Sequence, residues 1–565
     1  KEFGVSFLVF EVFAYQARYQ INDLRDIFYL LFSDKNDARW IDAVPLKTWR
    51  GVFGVLTRYT EQKDRERLKN HIESEGLFAI EMLSIWIAAE DMDPELMRID
   101  PSLLNADSPF VALHHEVVNW LQARRQSTVF DNSHLQVMFS QCKKLVERLQ
   151  KRGAVVGSSL NTAYLLERLS QTLERLETLM AIFVSNRYLP RRILLLIGCF
   201  ARAAAEKHSI TRLWKQSSGL IARSVTQNAG DHGEHYITRD KKEYWAMFYS
   251  AAGGGVLIAL MALFKTYLGS IIDDKVWKGL AEGLNYGFGF MVIFMLHFTV
   301  ATKQPAMTAA RFAEAVEKTP QGKSVNMKLA QLLVDVFRSQ SIAVLGNVLI
   351  AMGLAALIAF GYQYKTGEAL MNADQIAYQL HSIDPFAGTL WFAAIAGVWL
   401  FCSGIISGYF DNRSNYLNMR MRLAQHPLLK KLMSEKSRVK FANYMHENYG
   451  SLIGNLCFGM LLGITGVVGY LTHLPLDIRH VAFSSANVGY IAVSGQFTYS
   501  LLLQCIGFVL LIGLVNLMVS FSLTLWVALR SLNTEIDNWW AIWHEVCQIV
   551  KKRPLSLFFP VQLDK

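Results

Sequence analysis

Six long apolar stretches follow Tyr244, and no other feature restricts this chain's fold so strongly. They run approximately from Trp245 to Phe264, Leu280 to Ala301, Ile342 to Tyr362, Phe386 to Tyr409, Leu452 to Leu471 and Tyr499 to Trp526. About 20 helical residues rising 1.5 Å each cross some 30 Å of hydrocarbon, so each stretch is long enough to span a bilayer. A bilayer offers no water to backbone N–H and C=O groups, and helices satisfy those groups internally. The expectation is a six-helix transmembrane domain over 245–530. It is preceded by a cytosolic region over 1–230 and a junction over 231–244, and followed by a cytoplasmic tail over 531–565.

Charge sets the orientation. The second-to-third and fourth-to-fifth connections, read as long cytoplasmic loops over 302–340 and 411–450, hold fourteen Lys and Arg, and the other three connections hold five. Basic loops stay on the inner side, so both termini are expected in the cytoplasm of a bacterial inner membrane. The same bias explains the net charge of +10 without a polyanion. Residues 1–243 are nearly balanced, with 33 basic and 30 acidic side chains, against 24 and 17 in the remainder. Nucleic acid binding relies on clustered Lys and Arg, and this distribution does not support it. Arg413, Arg420, Arg422, Lys430 and Lys431 are instead read as basic residues at the membrane surface. The bilayer is the expected partner, with a protein partner for the cytosolic region and self-association as further expectations.

Residues 1–243 show apolar positions every three or four residues and no sustained alternation, which predicts an all-α bundle. Leu165, Leu166, Leu169, Leu173, Leu176 and Leu179 form one such stripe, and separate helices are expected over 61–75 and 76–90. The apolar start from Phe3 to Tyr15 is interrupted by Glu11 and reads as a helix, not a signal peptide. Six isolated cysteines give neither a disulfide framework nor a zinc knuckle. His232 and His235, three apart beside Asp231 and Glu234, are the candidate metal ligands, although Gly233 and the flanking Lys, Tyr and Trp equally describe an interfacial junction. No cofactor is otherwise indicated.

Within the spans the polar residues at depth are His297, Asn347, Asn455, Gln504 and Asn516. They form either a polar pathway or interhelical hydrogen bonds. Gly254, Gly346 and Gly454 each open a similar apolar run, with Gly269, Gly361 and Gly469 fifteen residues on, a pattern of three related hairpins or of glycine-mediated packing. The Pro-x-acid-x-x-base signature of mitochondrial carriers is absent, as is the phosphate-binding loop of an ATPase.

A helical cytosolic region, a junction reading Gly233-Glu234-His235-Tyr236-Ile237-Thr238-Arg239 and six spans together resemble a bacterial membrane-protein family labelled site-specific recombinase (Gcr-type). That resemblance covers nearly the whole chain and implies DNA strand exchange. The catalytic sets that such chemistry uses do not follow. A tyrosine recombinase needs His-x-x-Arg, whereas His208 is followed by Arg212; a serine recombinase needs Tyr-x-Arg-x-Ser, whereas Tyr15 to Gln20 places Arg18 one residue late and Gln20 at the nucleophile. The expected function is therefore a non-enzymatic transport, channel or assembly component with a cytosolic regulatory domain. The alternative is a membrane-tethered DNA recombination factor.

Overall fold

In a computed structural model the described residues are 31–32, 34, 37–104, 108–126, 128–157, 159–184, 189–206, 237–238, 240–300, 309, 312, 316, 323–493, 497–531 and 538–560. Every regular element among them is a helix. The chain divides into two compact units, one of residues 1–150 and 164–217, the other of 151–163 and 218–565. The division thus falls near 217, short of the expected 230, and a piece of the helical region groups with the second unit.

The first unit is built on α1 (Asp37–Ala43), α2 (Leu46–Tyr59), α3 (Gln62–Ala89), α4 (Pro94–Ile99), α5 (Pro109–Arg125), α6 (Ser133–Val156), α7 (Leu160–Val184) and α8 (Leu189–Glu206). Its core joins Ile80 and Ile87 of α3, Phe110 and Leu113 of α5, Leu149 of α6 and, from the expected stripe of α7, Leu166, Leu169, Leu173 and Leu176, with Leu165 and Leu179 partly buried against them. Two helices expected at 61–75 and 76–90 are one. Gly76 does not break α3; a Cβ there would collide with the Phe183 ring, so the glycine admits α7 to close contact. Arg124 donates to Glu73 at 2.8 Å and to the Phe183 carbonyl at 2.8 Å, so this basic residue has partners inside the unit. Asp93 caps α4, and buried Asp100 pairs with Arg148 at 3.1 Å. Burial, with His115 beside it, holds the His114 imidazole below its usual range, and the ring lies 3.0 Å from the Ser84 hydroxyl.

The second unit contains α9 (Lys241–Ile271), α10 (Lys275–Met295), α11 (Lys323–Thr366), α12 (Ala373–Ile383), α13 (Thr389–Tyr416), α14 (Met419–Gln425), α15 (Pro427–Leu432), α16 (Glu435–Thr472), α17 (Val481–Ala492), α18 (Tyr499–Ser531) and α19 (Trp539–Lys552). Five of these, α9, α11, α13, α16 and α18, are long and apolar enough to cross a membrane. The second expected stretch differs. It lies on α10, which ends at Met295 and carries Lys275, Lys278 and Glu282, so its apolar character falls short although its 21 residues still reach about 30 Å. The loop expected over 411–450 is largely helical, and so is 323–340 of the other, most of whose earlier residues lie outside the described ones. The 44-residue α11 begins at Lys323, and α14, α15 and the start of α16 fill most of 419–450.

Glycine sets the spacing of these helices. Added Cβ atoms at Gly459 and Gly463 of α16 would collide with the backbone of Gly287 and Gly283 on α10, so the two helices touch main chain to main chain. Gly254 and Gly255 of α9 meet Asn347 of α11, and Gly454 of α16 meets Ser403 and Ser407 of α13. The later glycines of the pattern do not share one role, since Gly361 faces open space and Gly469 abuts the Leu476 carbonyl. The three expected hairpins also differ in build. α9 and α10 are joined by a three-residue turn, whereas α11 to α13 and α16 to α18 are each long, short, long.

Candidate functional site: a returning half-helix

The chain leaves α16 at His473, whose left-handed φ of 55° ends the helix, and Pro475 prevents its continuation. Residues 474–480 are without regular structure. His480 then lies 5.8 Å, ring to ring, from Phe458. Phe458 is fourteen residues back along α16, about 21 Å from its end. The segment therefore descends alongside the helix it has just left. At His480 it turns and starts α17, in which every residue from Val481 to Ala486 and from Val488 to Ile491 is buried. Gly489 packs against the Met352 carbonyl of α11, and Tyr490 donates to the Ala259 carbonyl of α9 at 2.7 Å. Twelve residues rise about 18 Å, half a bilayer.

Polar side chains hold this excursion in place. Asn516, fully buried in the middle of α18, accepts the Val481 N–H at 3.2 Å and donates to the Arg479 carbonyl at 3.0 Å and the Ala393 carbonyl at 2.7 Å. One amide thus joins α18, α13 and the first residue of α17. Arg479 pairs with Asp477 at 2.7 Å and donates to the Ser382 carbonyl at 2.8 Å. The wall around the turn is aromatic: Phe290, Phe458 and Phe483 surround the His480 ring at 5.8–6.3 Å. Tyr286 stacks near Phe483 at 4.5 Å and lies beneath Lys265, which pairs with Glu282 at 3.4 Å.

The sequence candidates divide. Asn347 donates to the Ala251 and Thr299 carbonyls at 2.5 and 2.9 Å, tying α11 to α9. Asn455 donates to Ser451 on its own helix at 2.7 Å. His297 is exposed in a left-handed turn after α10, and Gln504 is exposed on α18, so neither belongs to the buried cluster where Asn516 lies. Arg413, Arg420, Arg422, Lys430 and Lys431 are exposed at the end of α13 and on α14 and α15. His232 and His235 lie outside the described residues. Among the described residues no group of three or more His, Cys, Asp or Glu is placed to hold a metal.

Sequence reasoning missed His480, Arg479, Lys265, Glu282 and Tyr286. Hydropathy places Arg479 in a connection between spans, where it is one of the five basic residues outside the two basic loops. The available signal was local: Pro475 is followed within six residues by a short uncharged run, Val481 to Val493, too brief to cross and too greasy for a loop.

An all-helical chain with five helices able to cross a bilayer and a buried, returning half-helix defines the class. Its family is also clear: the chain belongs to the site-specific recombinase family, whose model matches residues 17–560. No curated protein and no solved structure matches it.

Proposed function

We propose that the second unit is a membrane passage for a small solute, with α17 as its central element, and that the chain performs no strand-exchange chemistry itself. The single observation carrying this reading is the descent to His480 and return through α17. Broken helices that end at membrane depth are tolerated where they are buried in protein or line a cavity, and their termini commonly form solute sites. The partly buried pairs Arg479–Asp477 and Lys265–Glu282 support it, because ionised groups set among membrane helices are costly and are generally kept for function. In this reading the chain lies in the bacterial inner membrane with both termini in the cytoplasm, and the first unit regulates the passage or recruits a protein partner. The test is flux through liposomes carrying the purified full chain, with small anions, cations and neutral solutes as probes. Flux above that of empty liposomes supports the passage; none for any class removes it.

A second reading is favoured by the family's description: a membrane-tethered DNA recombination factor, using the exposed basic residues of α14 and α15. Salt-sensitive binding of the full chain to duplex DNA supports it, and no binding at low salt removes it.

A further inference from the structure

The most informative place lies just beyond the start of α17, on the side facing the Lys323 end of α11. A helix start presents N–H groups with no partner inside the helix and carries partial positive charge. Here the Val481 N–H goes to Asn516 and the Ser484 N–H to the His480 carbonyl, while the His480 side chain does not cap the helix. The N–H groups of Ala482 and Phe483 remain as donors directed along the axis, with no acceptor among the described residues.

Two further buried polar groups lie on the helices that pack beside that position. Ser520 follows Asn516 by one turn on the same face of α18, about 6 Å beyond the Val481 N–H. Its hydroxyl is buried, with the residue 1% exposed, and has no hydrogen-bond partner among the described residues. Gln340 lies one turn before Val344 on the same face of α11, and Val344 packs against the cluster that contains Val481. At 2% exposure neither its amide nitrogen nor its amide oxygen has a partner among the described residues. A buried hydroxyl and amide left unbonded cost about 1–3 kcal/mol each, which natural interiors rarely tolerate without an occupant. The charged pair at this end of α11, Asp335 with Arg338 at 3.0 Å, is mutually neutralised and sets no net negative field against an anion.

We propose that a small monovalent anion of halide size binds between the first turn of α17, Ser520 and Gln340, held by N–H, O–H and amide donors. The donors select the sign of the charge: two backbone N–H groups and a helix start repel a cation. Burying charge is costly, so an occupant held by neutral donors alone is limited to a single charge. The proposal rests on the passage reading and gives it a solute class.

The experiment uses the purified full chain in detergent, with sodium bromide replacing sodium gluconate at constant ionic strength. Bromide is expected to raise the unfolding midpoint saturably, by about 3 °C or more. Ser520→Ala and Gln340→Leu are each expected to abolish that rise. In gluconate both variants should be at least as stable as the unsubstituted chain, because each removes an unbonded buried polar group. No bromide effect on the unsubstituted chain, or an undiminished effect in both variants, overturns the site. Bromide binding without bromide flux would remove the passage and leave the site, whereas flux unaffected by either substitution would remove the site and leave the passage.

Discussion

Identical side chains in this protein do unequal work, and their partners say why. Asn516 bonds three backbone groups on two other segments, while Asn455 bonds only the carbonyl four residues before it. Asn516→Ala strands the Arg479 and Ala393 carbonyls and the Val481 N–H, and should cost about 2–4 kcal/mol. Asn455→Ala should cost roughly 1 kcal/mol or less; thermal unfolding of the two variants in one detergent compares them. Glycine gives a similar contrast. Gly463→Leu drives a side chain into the Gly283 backbone and is expected to prevent assembly of α10 with α16, whereas Gly353→Ala, with open space around it, should be neutral. In the first unit, burial pushes the Cys142 thiol up to about 12 from 9.0. Its stabilising contribution is complete below the ordinary value and fades as the pH rises through that window. At pH 8 Cys142 should therefore resist a thiol reagent that labels the exposed Cys199 and Cys547, and a count of modified cysteines on folded and unfolded protein checks this.

The elements most legible in the sequence are those whose apolar period is long and unbroken. The stripe of α7 and the bodies of α9, α11, α13, α16 and α18 were readable because each satisfies its backbone alone and shows its buried face in the pattern. Two elements were not. α10 looked like a span with an apolar end at Ala301, yet its charges are tolerated through neighbours: Glu282 through Lys265, and its glycines through α16. α17 escaped notice because hydropathy windows average over about 19 residues, whereas this helix has 12 and is covered by protein on all sides. Its candidate site was half legible: Asn516 could be named from its depth, but His480, Ser520 and Gln340 needed the fold to bring them to one end of the half-helix. The tether at its other end is the Tyr490 hydroxyl on Ala259. Tyr490→Phe should weaken that attachment by about 1 kcal/mol and raise hydrogen exchange of α17 amides while leaving α16 unchanged.

For the molecule as a whole, the crossing count depends on α10. If it spans, the turn at Asp273–Asp274 lies across the bilayer from the Lys430–Lys431 segment, and small epitope tags at the two sites should react from opposite faces of sealed vesicles. Reaction of both from one face would reduce the crossings to an odd number. The glycine seam between α10 and α16 has a further consequence, for synthesis. α10 leaves the ribosome some 140 residues before α16 begins, and at about 5–20 residues per second the delay is roughly 7–28 s. A segment this poorly suited to lipid must be sheltered during that interval, by the insertion machinery or by α9. Its final placement is therefore a late event in biogenesis, and truncating the nascent chain ahead of α16 should leave α10 vulnerable to quality-control proteases.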